Sequence, residues 1–368
     1  MTYYVQTKNL TVGYDGKPVI REIEIQLEKG KILTLIGPNG AGKSTILKSM
    51  ARQLDWIAGT VFLGNDSLAA LPGQERSKKM AIVWTEKLRT ECMSCEEVVA
   101  TGRYPYTGAF GILSAVDYEK IEEAIRLVDM ESFRARDFTK ISDGQRQRVM
   151  LARAICQEPE IILLDEPTSF LDIKYKLEFL SVLQRLQKEK QLTVIMSLHE
   201  LELAQRISDQ ILCIKGEYVD RYGTPEAVFQ EGYVEQLFGI KTGSYQEKSG
   251  NMELEAAKGK AELFVIGGGG NGTSVYRKLQ REAIPFYAGI LYSNDVEYPV
   301  AAALAEEVVT AKAFEPMTEE TFEIAKQKLA QCRKLICCKQ NFGTLEAKNK
   351  ELLSYAKELK LTIEMEDR

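Results

Sequence analysis

Short continuous apolar runs alternate with amphipathic stretches along most of the chain. Ile32–Ile36, Ile161–Leu164 and Thr193–Met196 are apolar at almost every position. That is the pattern of strands buried on both faces of a parallel sheet. Tyr3–Val5 and Val19–Leu27 read as further β segments, broken by turn-forming Gly13 and Gly16. Ser44–Gln53 reads as a helix and Met80–Trp84 as a strand, with a polar, turn-rich stretch over Gly59–Lys79 between them. Cys95 to Met130 reads as helical. It is clearest over Asp117–Met130, where Ile121, Ala124, Ile125 and Val128 recur at helical spacing. Strands that alternate with helices predict an α/β sheet.

The pattern changes around Lys241–Lys260, which is polar and carries Gly243, Gly250 and Gly259. Beyond it the alternation is regular. Strands are expected at Glu262–Ile266, Phe286–Tyr292, Val308–Ala311, Lys334–Cys338 and Leu361–Glu364. Helices are expected at Thr273–Ala283, Pro299–Glu307, Thr318–Gln331 and Thr344–Leu359. This is a small Rossmann-like domain. The expected organisation is a first domain over 1–245, a linker over 246–260 and a second domain over 261–368.

Composition narrows the field. The chain has 368 residues, a formal net charge of -5, 45% hydrophobic and 27% charged residues, which fits two domains or three. Mild acidity argues against a nucleic-acid surface, so no nucleic-acid partner is expected. No apolar run reaches the roughly 18 residues of a membrane span. The opening MTYYVQTKNL lacks the basic and apolar regions of a secretory signal, so none is expected. Seven cysteines, odd in number and sparse, fit reduced thiols in a cytoplasm. Histidine occurs once, at His199, which rules out a metal site built from clustered histidines.

Gly37-Pro38-Asn39-Gly40-Ala41-Gly42-Lys43-Ser44 fits G-x-x-x-x-G-K-[ST] between an expected strand and an expected helix. Glycines there let backbone N–H groups turn toward phosphate oxygens, and the helix start adds partial positive charge. Lys43 can reach β- and γ-phosphates, and Ser44 can ligate magnesium. Ile161–Leu164 runs into Asp165 and Glu166, at the sheet edge where a phosphate loop also lies. Asp165 is the candidate for holding the magnesium ion through water, and Glu166 for orienting or deprotonating the attacking water.

With these residues in place, the chain resembles the nucleotide-binding subunit of an ABC transporter over about Tyr3–Phe238. Ile141-Ser142-Asp143-Gly144-Gln145 resembles the family's LSGGQ signature, Ser169-Phe170-Leu171-Asp172 its D-loop, and Ser197-Leu198-His199-Glu200 its switch-histidine loop. The resemblance implies an ABC ATPase domain with a mixed sheet core and a helical subdomain at about 87–140. It implies ATP and Mg2+ as ligands, and a homodimer in which ATP lies between the phosphate loop of one subunit and the signature of the other. Nucleotide positions would be Tyr14, stacked on adenine, with Gly37, Asn39, Gly40, Gly42, Lys43, Ser44, Thr45, Ser142, Gly144, Gln145 and Asp172. Catalysis would fall to Glu166 and His199, and to Glu86, which stands where the family usually has the glutamine of its Q-loop. Ser44, Asp165 and Glu86 would ligate the metal. A second departure is Asp143, in place of the signature's first glycine.

Thr101-Gly102-Arg103-Tyr104-Pro105-Tyr106-Thr107-Gly108 is similar to a stretch in importers of iron–siderophores, haem and cobalamin, where it faces the membrane subunits. This implies transmembrane permease partners and a peripheral position on the cytoplasmic face of the membrane. Two alternatives stand beside the importer: a soluble ABC ATPase acting on a macromolecular partner, and an ATPase switch controlling the C-terminal domain. In that domain Gly267–Gly272 fits G-x-G-x-x-G after a strand and before a helix. Gly267, Gly269, Gly272 and Asp295 are candidates for a nucleotide or small-molecule site, and a docking or dimer-stabilising domain is the alternative.

Overall fold

The computed structural model describes residues 3–84, 92–108 and 110–366. The chain divides into two compact units, Met1–Tyr233 and Val234–Arg368.

The first unit is built on a six-stranded sheet in the order Tyr218–Gly223, Gln210–Lys215, Ile32–Ile36, Thr193–Ser197, Ile161–Leu164, Met80–Val83. All neighbours are parallel except the first pair. Every residue of Ile32–Ile36, Ile161–Leu164 and Thr193–Ser197 is buried, as their continuous apolar runs predict. A second, antiparallel sheet is organised around Tyr3–Tyr14, which pairs with Lys17–Ile23, Gln26–Glu28 and Ala58–Leu63. Val5, Leu10, Ile20 and Val61 from this sheet share one core with Leu33, Leu163 and Ile195 of the first. Ile46 and Leu47, from the helix Lys43–Met50, complete that core.

Two local expectations need correction. The first strand runs to Tyr14, so Gly13 lies within it and not in a turn. A Cβ at Gly13 would come within 2.0 Å of the Lys17 carbonyl oxygen, so glycine serves strand pairing there. The actual turn is Asp15-Gly16, both at positive φ, a two-residue hairpin connection. The helical stretch from Cys95 to Met130 is interrupted: Cys95–Ala100 and Ala115–Leu127 are separate helices. Pro105, Gly108 and Gly111 lie in the gap and oppose helix continuation.

The second unit has a five-stranded, all-parallel sheet in the order Glu307–Ala311, Tyr287–Tyr292, Leu263–Ile266, Lys334–Cys337, Thr362–Met365. Chain direction around the sheet reverses between Leu263–Ile266 and Lys334–Cys337, a topological switch point of the Rossmann type. Helices Thr273–Arg281 and Tyr298–Leu304 contribute Tyr276, Leu279 and Val300 to one core. Helices Glu319–Leu329 and Ala347–Glu358 contribute Phe322, Ala325 and Leu352 to another. The stretch read as a linker carries part of a hairpin, Ser244–Gln246 with Asn251–Glu253. Glu253 is buried, and Arg277 Nε donates to its Oε2 at 3.1 Å. The polar character of this stretch therefore conceals an ion pair within the second unit.

Candidate functional site

The phosphate loop is positioned by the buried strand Ile32–Ile36 before it and the helix Lys43–Met50 after it. Gly37, Gly40 and Gly42 have φ of 152°, 77° and 93°, conformations that glycine adopts without a Cβ penalty. A Cβ at Gly37 would lie 2.6 Å from the Ile214 carbonyl oxygen, and one at Gly42 would lie 2.8 Å from Ile20 Cδ1. The helix start has no capping side chain, so its first N–H groups and its positive dipole end face the loop. Lys43 is buried, and its Nζ donates to Gly37 O at 2.9 Å and Pro38 O at 3.1 Å. Burial holds its ammonium below the usual lysine range, opposed by the nearby Glu166 and Asp165 carboxylates.

From Ser44 a chain of hydrogen bonds crosses three strand ends. Ser44 Oγ donates to Asp165 Oδ1 at 2.9 Å, and Ser197 Oγ donates to the same oxygen at 2.8 Å. The Glu166 N–H donates to Ser197 Oγ at 2.9 Å. Glu166 Oε1 is 2.5 Å from His199 Nε2, and Ser169 Oγ donates to Glu166 Oε2 at 3.3 Å. Glu166 itself has φ 46°, a constrained backbone for a residue with a side chain. Ser44 and Asp165 present hard oxygen donors of the kind magnesium takes. Tyr14, half exposed, has its hydroxyl 3.3 Å from Thr45 Oγ1.

Ser197 and Glu200 were given no chemical role from sequence. Ser197 ties the two acidic residues to the neighbouring strand. Glu200 accepts from Thr168 Oγ1 at 2.9 Å and Lys176 Nζ at 2.6 Å. Burial pushes its carboxyl up, but these two donors outweigh burial and leave it below the usual carboxylate range. It thereby anchors the loop after Glu166 to the start of the helix Ile173–Lys190. The one sequence signal for both was their position beside His199.

The signature segment forms its own cluster. Ser142 caps the helix Asp143–Cys156 in a capping box: the Gln145 N–H donates to Ser142 Oγ, and the Ser142 N–H donates to Gln145 Oε1 at 3.0 Å. Gly144 is pressed against Tyr175, whose ring carbon would be 2.8 Å from an added Cβ. Asp172 caps Ile173–Lys190 by accepting the Tyr175 N–H at 3.0 Å. Beside it Phe170 is 82% exposed. Glu86 lies outside the described residues.

Arg103, in the stretch expected to face membrane subunits, is buried. It donates to Asp117 Oδ1 at 2.8 Å, Cys156 O at 2.7 Å and Glu158 Oε2 at 3.0 Å, and stacks 3.9 Å from the Tyr106 ring centre. Arg103 is thus an internal strut, while Tyr104, Phe110 and Ile112 are among the exposed apolar residues of this region.

The glycine loop of the second unit is filled from within. Glu297, fully buried, accepts the N–H of Gly268 at 2.7 Å and of Gly272 at 2.8 Å, and the Tyr276 hydroxyl at 2.7 Å. Asp295 accepts the Gly269 N–H at 2.9 Å. A Cβ at Gly267 would fall 2.0 Å from Glu297 Oε1. These glycines make room for a carboxylate of the same chain. Two anions stand where a pyrophosphate would need donors, and Asp295 is turned to Gly269 and away from any ribose. Donors that a nucleotide or small molecule at Gly267, Gly269, Gly272 and Asp295 would draw on are here committed to Glu297 and Asp295.

All seven cysteines are free thiols, and burial pushes Cys156, Cys213 and Cys332 up to about 12. Among the described residues, no helix is long and apolar enough to cross a membrane, and no group of three or more His, Cys, Asp or Glu could hold a metal ion.

Comparison with known proteins agrees with this geometry. An ABC transporter family model matches residues 20–169, and an MJ0874 family model matches residues 286–368. An uncharacterized ABC transporter ATP-binding protein of Methanocaldococcus jannaschii, MJ0873, is 42% identical over 289 residues, covering 78% of this chain and 99% of that protein. The iron(3+)-hydroxamate import ATP-binding protein FhuC of Bacillus subtilis is 37% identical over 236 residues, 64% of this chain and 88% of that one. Among solved structures, the ATP-binding cassette MJ0796, a dimer in a post-hydrolysis state with ADP and phosphate, superposes with a TM-score of 0.53 at 26% identity, covering 60% of this chain and 98% of that one.

Proposed function

The chain belongs to the ABC transporter ATP-binding family, and from that premise we propose that it powers a membrane importer of an iron chelate. Its activity is ATP hydrolysis. The observation that carries the mechanism is the unbroken path Ser44–Asp165–Ser197–Glu166–His199. Lys43 and the loop N–H groups hold the β- and γ-phosphates. Ser44 and Asp165 would hold magnesium, which would supply charge neutralisation for the phosphates. Glu166 orients and deprotonates the attacking water. His199 keeps the Glu166 carboxylate in place and would contact the γ-phosphate. Tyr14 stacks on adenine. Ser142 and Gly144 of the partner subunit complete each site, so two copies enclose two ATP molecules. ATP closes this dimer and hydrolysis reopens it, and the motion drives permease subunits from the cytoplasmic face of the membrane.

The iron-chelate cargo is supported by the name of the Bacillus relative, an iron(3+)-hydroxamate import ATP-binding protein, and by the Thr101–Gly108 stretch. For the second unit, the filled glycine loop favours a docking or dimer-stabilising role.

Glu166→Gln tests the mechanism. The full chain should collect as an ATP-bound dimer on size exclusion and lose turnover by about 10²- to 10³-fold. A normal rate would remove Glu166 from its role. Cargo is tested by reconstituting the chain with its membrane subunits and measuring ATP-driven uptake of a ferric hydroxamate. Uptake of cobalamin or haem alone would replace the cargo. Co-purification with ribosomes or DNA, and not with an apolar membrane subunit, would replace the importer.

A further inference from the structure

Glu166 stands two residues beyond the strand Ile161–Leu164, where sheet pairing is ending. The Asp165 N–H still donates to Val83 O on one side, at 3.0 Å. The Glu166 N–H reaches the neighbour on the other side and ends on a side chain, Ser197 Oγ at 2.9 Å. Directly afterwards the chain turns, with the Ser169 N–H donating to Glu166 O at 3.1 Å. Glu166 holds φ 46° there, a conformation that persists only where surrounding contacts impose it. Ser197 is the last residue of Thr193–Ser197, which lies between Ile32–Ile36 and Ile161–Leu164 in the sheet. It is fully buried. A hydroxyl has one proton and two acceptor lone pairs. The proton goes to Asp165 Oδ1 at 2.8 Å, which leaves a lone pair for the Glu166 N–H. The partners of the Glu166 carboxylate are of another kind: His199 and Ser169 both lie on loops, and the His199 side chain is 37% exposed.

We propose that Ser197 is a positioning residue for ATP hydrolysis, which holds the backbone of Glu166 so that its carboxylate faces the attacking water. This rests on the reading that Glu166 activates that water. His199 is the group assigned to the γ-phosphate, so its hold on the Glu166 carboxylate loosens when nucleotide arrives. Ser197 is fixed by strand pairing on both sides, and its bond to the Glu166 N–H persists through that exchange. The base therefore keeps its place while its side chain changes partners.

The test compares Ser197→Ala, Ser197→Cys, Glu166→Gln and the double variant Ser197→Ala/Glu166→Gln in the full chain. Ser197→Ala should lower kcat by about ten- to a hundredfold, the scale of a misplaced catalytic group. KM for ATP, and ATP affinity from equilibrium titration, should stay within about twofold, because the phosphate loop is untouched. Ser197→Cys, close to serine in volume but a weak acceptor, should show the same loss. A cysteine variant at full rate would make the role one of packing and overturn the proposal. In the Glu166→Gln background, Ser197→Ala should cost no further rate, since the group it positions is already gone. A multiplied loss in the double variant, or a fall in ATP affinity that accounts for the Ser197→Ala defect, would also overturn it. The two levels fail separately. A normal rate in Glu166→Gln removes the base itself, whereas a normal rate in Ser197→Ala beside an inactive Glu166→Gln removes only the positioning role.

Discussion

Two glycine-rich loops in this chain follow a buried strand and lead into a helix, yet they do opposite things. Gly37–Gly42 opens onto Lys43, Ser44 and an uncapped helix start. Among the described residues, no carboxylate hydrogen-bonds a backbone N–H of that loop. In Gly267–Gly272 the N–H groups of Gly268, Gly269 and Gly272 donate to Glu297 and Asp295. Both sequences satisfy a phosphate-binding pattern. The pattern encodes backbone room for an anion near the chain, while the identity of the anion is decided elsewhere. In the second loop it is decided by a residue 29 positions from Gly268 and 25 from Gly272.

The contrast breaks most decisively at Lys43. Lys43→Ala should lower the rate of phosphate release by about 10³-fold, ~4 kcal/mol in barrier; retained turnover would mean that the open loop is not the catalytic one. Next comes Glu297→Ala, which strands two N–H groups and the Tyr276 hydroxyl without an acceptor. Urea unfolding of the second unit should shift by about 3 kcal/mol, and millimolar pyrophosphate should recover part of the loss by occupying the vacated cradle. Unchanged stability would reduce Glu297 to a bystander. Third, ATP at roughly a hundredfold excess over Kd should protect amides of 37–50 from hydrogen exchange by about 2.7 kcal/mol. Under the same conditions neither ATP nor NAD should protect 267–281, and protection there would reopen the second loop as a nucleotide site. The smallest effect is at Tyr14. Tyr14→Ala should raise KM for ATP about fivefold, ~1 kcal/mol, with kcat unchanged. A fall in kcat alone would replace stacking with a role in the chemical step.

Much of this was legible along the chain because the physics is local. The strands of the second unit fall close to their expected positions, since short apolar runs between amphipathic helices leave little freedom of assignment. The acidic pair after Ile161–Leu164 and the lysine after Gly42 could be assigned from neighbouring residues alone. Elsewhere the controlling contact lies far off in sequence. Glu297 gave no signal, because an acid between two expected elements looks like any solvated loop residue. Ser197 bridges Asp165 and Glu166 only once two strands are side by side. Arg103 was read as part of an outward-facing stretch, and its burial depends on Asp117, Glu158 and the Cys156 carbonyl converging from elsewhere. The strand through Gly13 was missed because glycine was read for its turn preference and not for the space it leaves.

The absent side chain at Gly144 has a mechanical consequence. Its backbone sits flush on Tyr175, and Arg148, one turn further along, both pairs with Glu178 and stacks on the same ring at 5.2 Å. The helix that begins at the signature and the helix that begins at Asp172 therefore have no clearance for slip. Even a methyl group added at Gly144 would have to push these two helices apart, so the close approach of signature and D-loop helices depends on that one missing side chain.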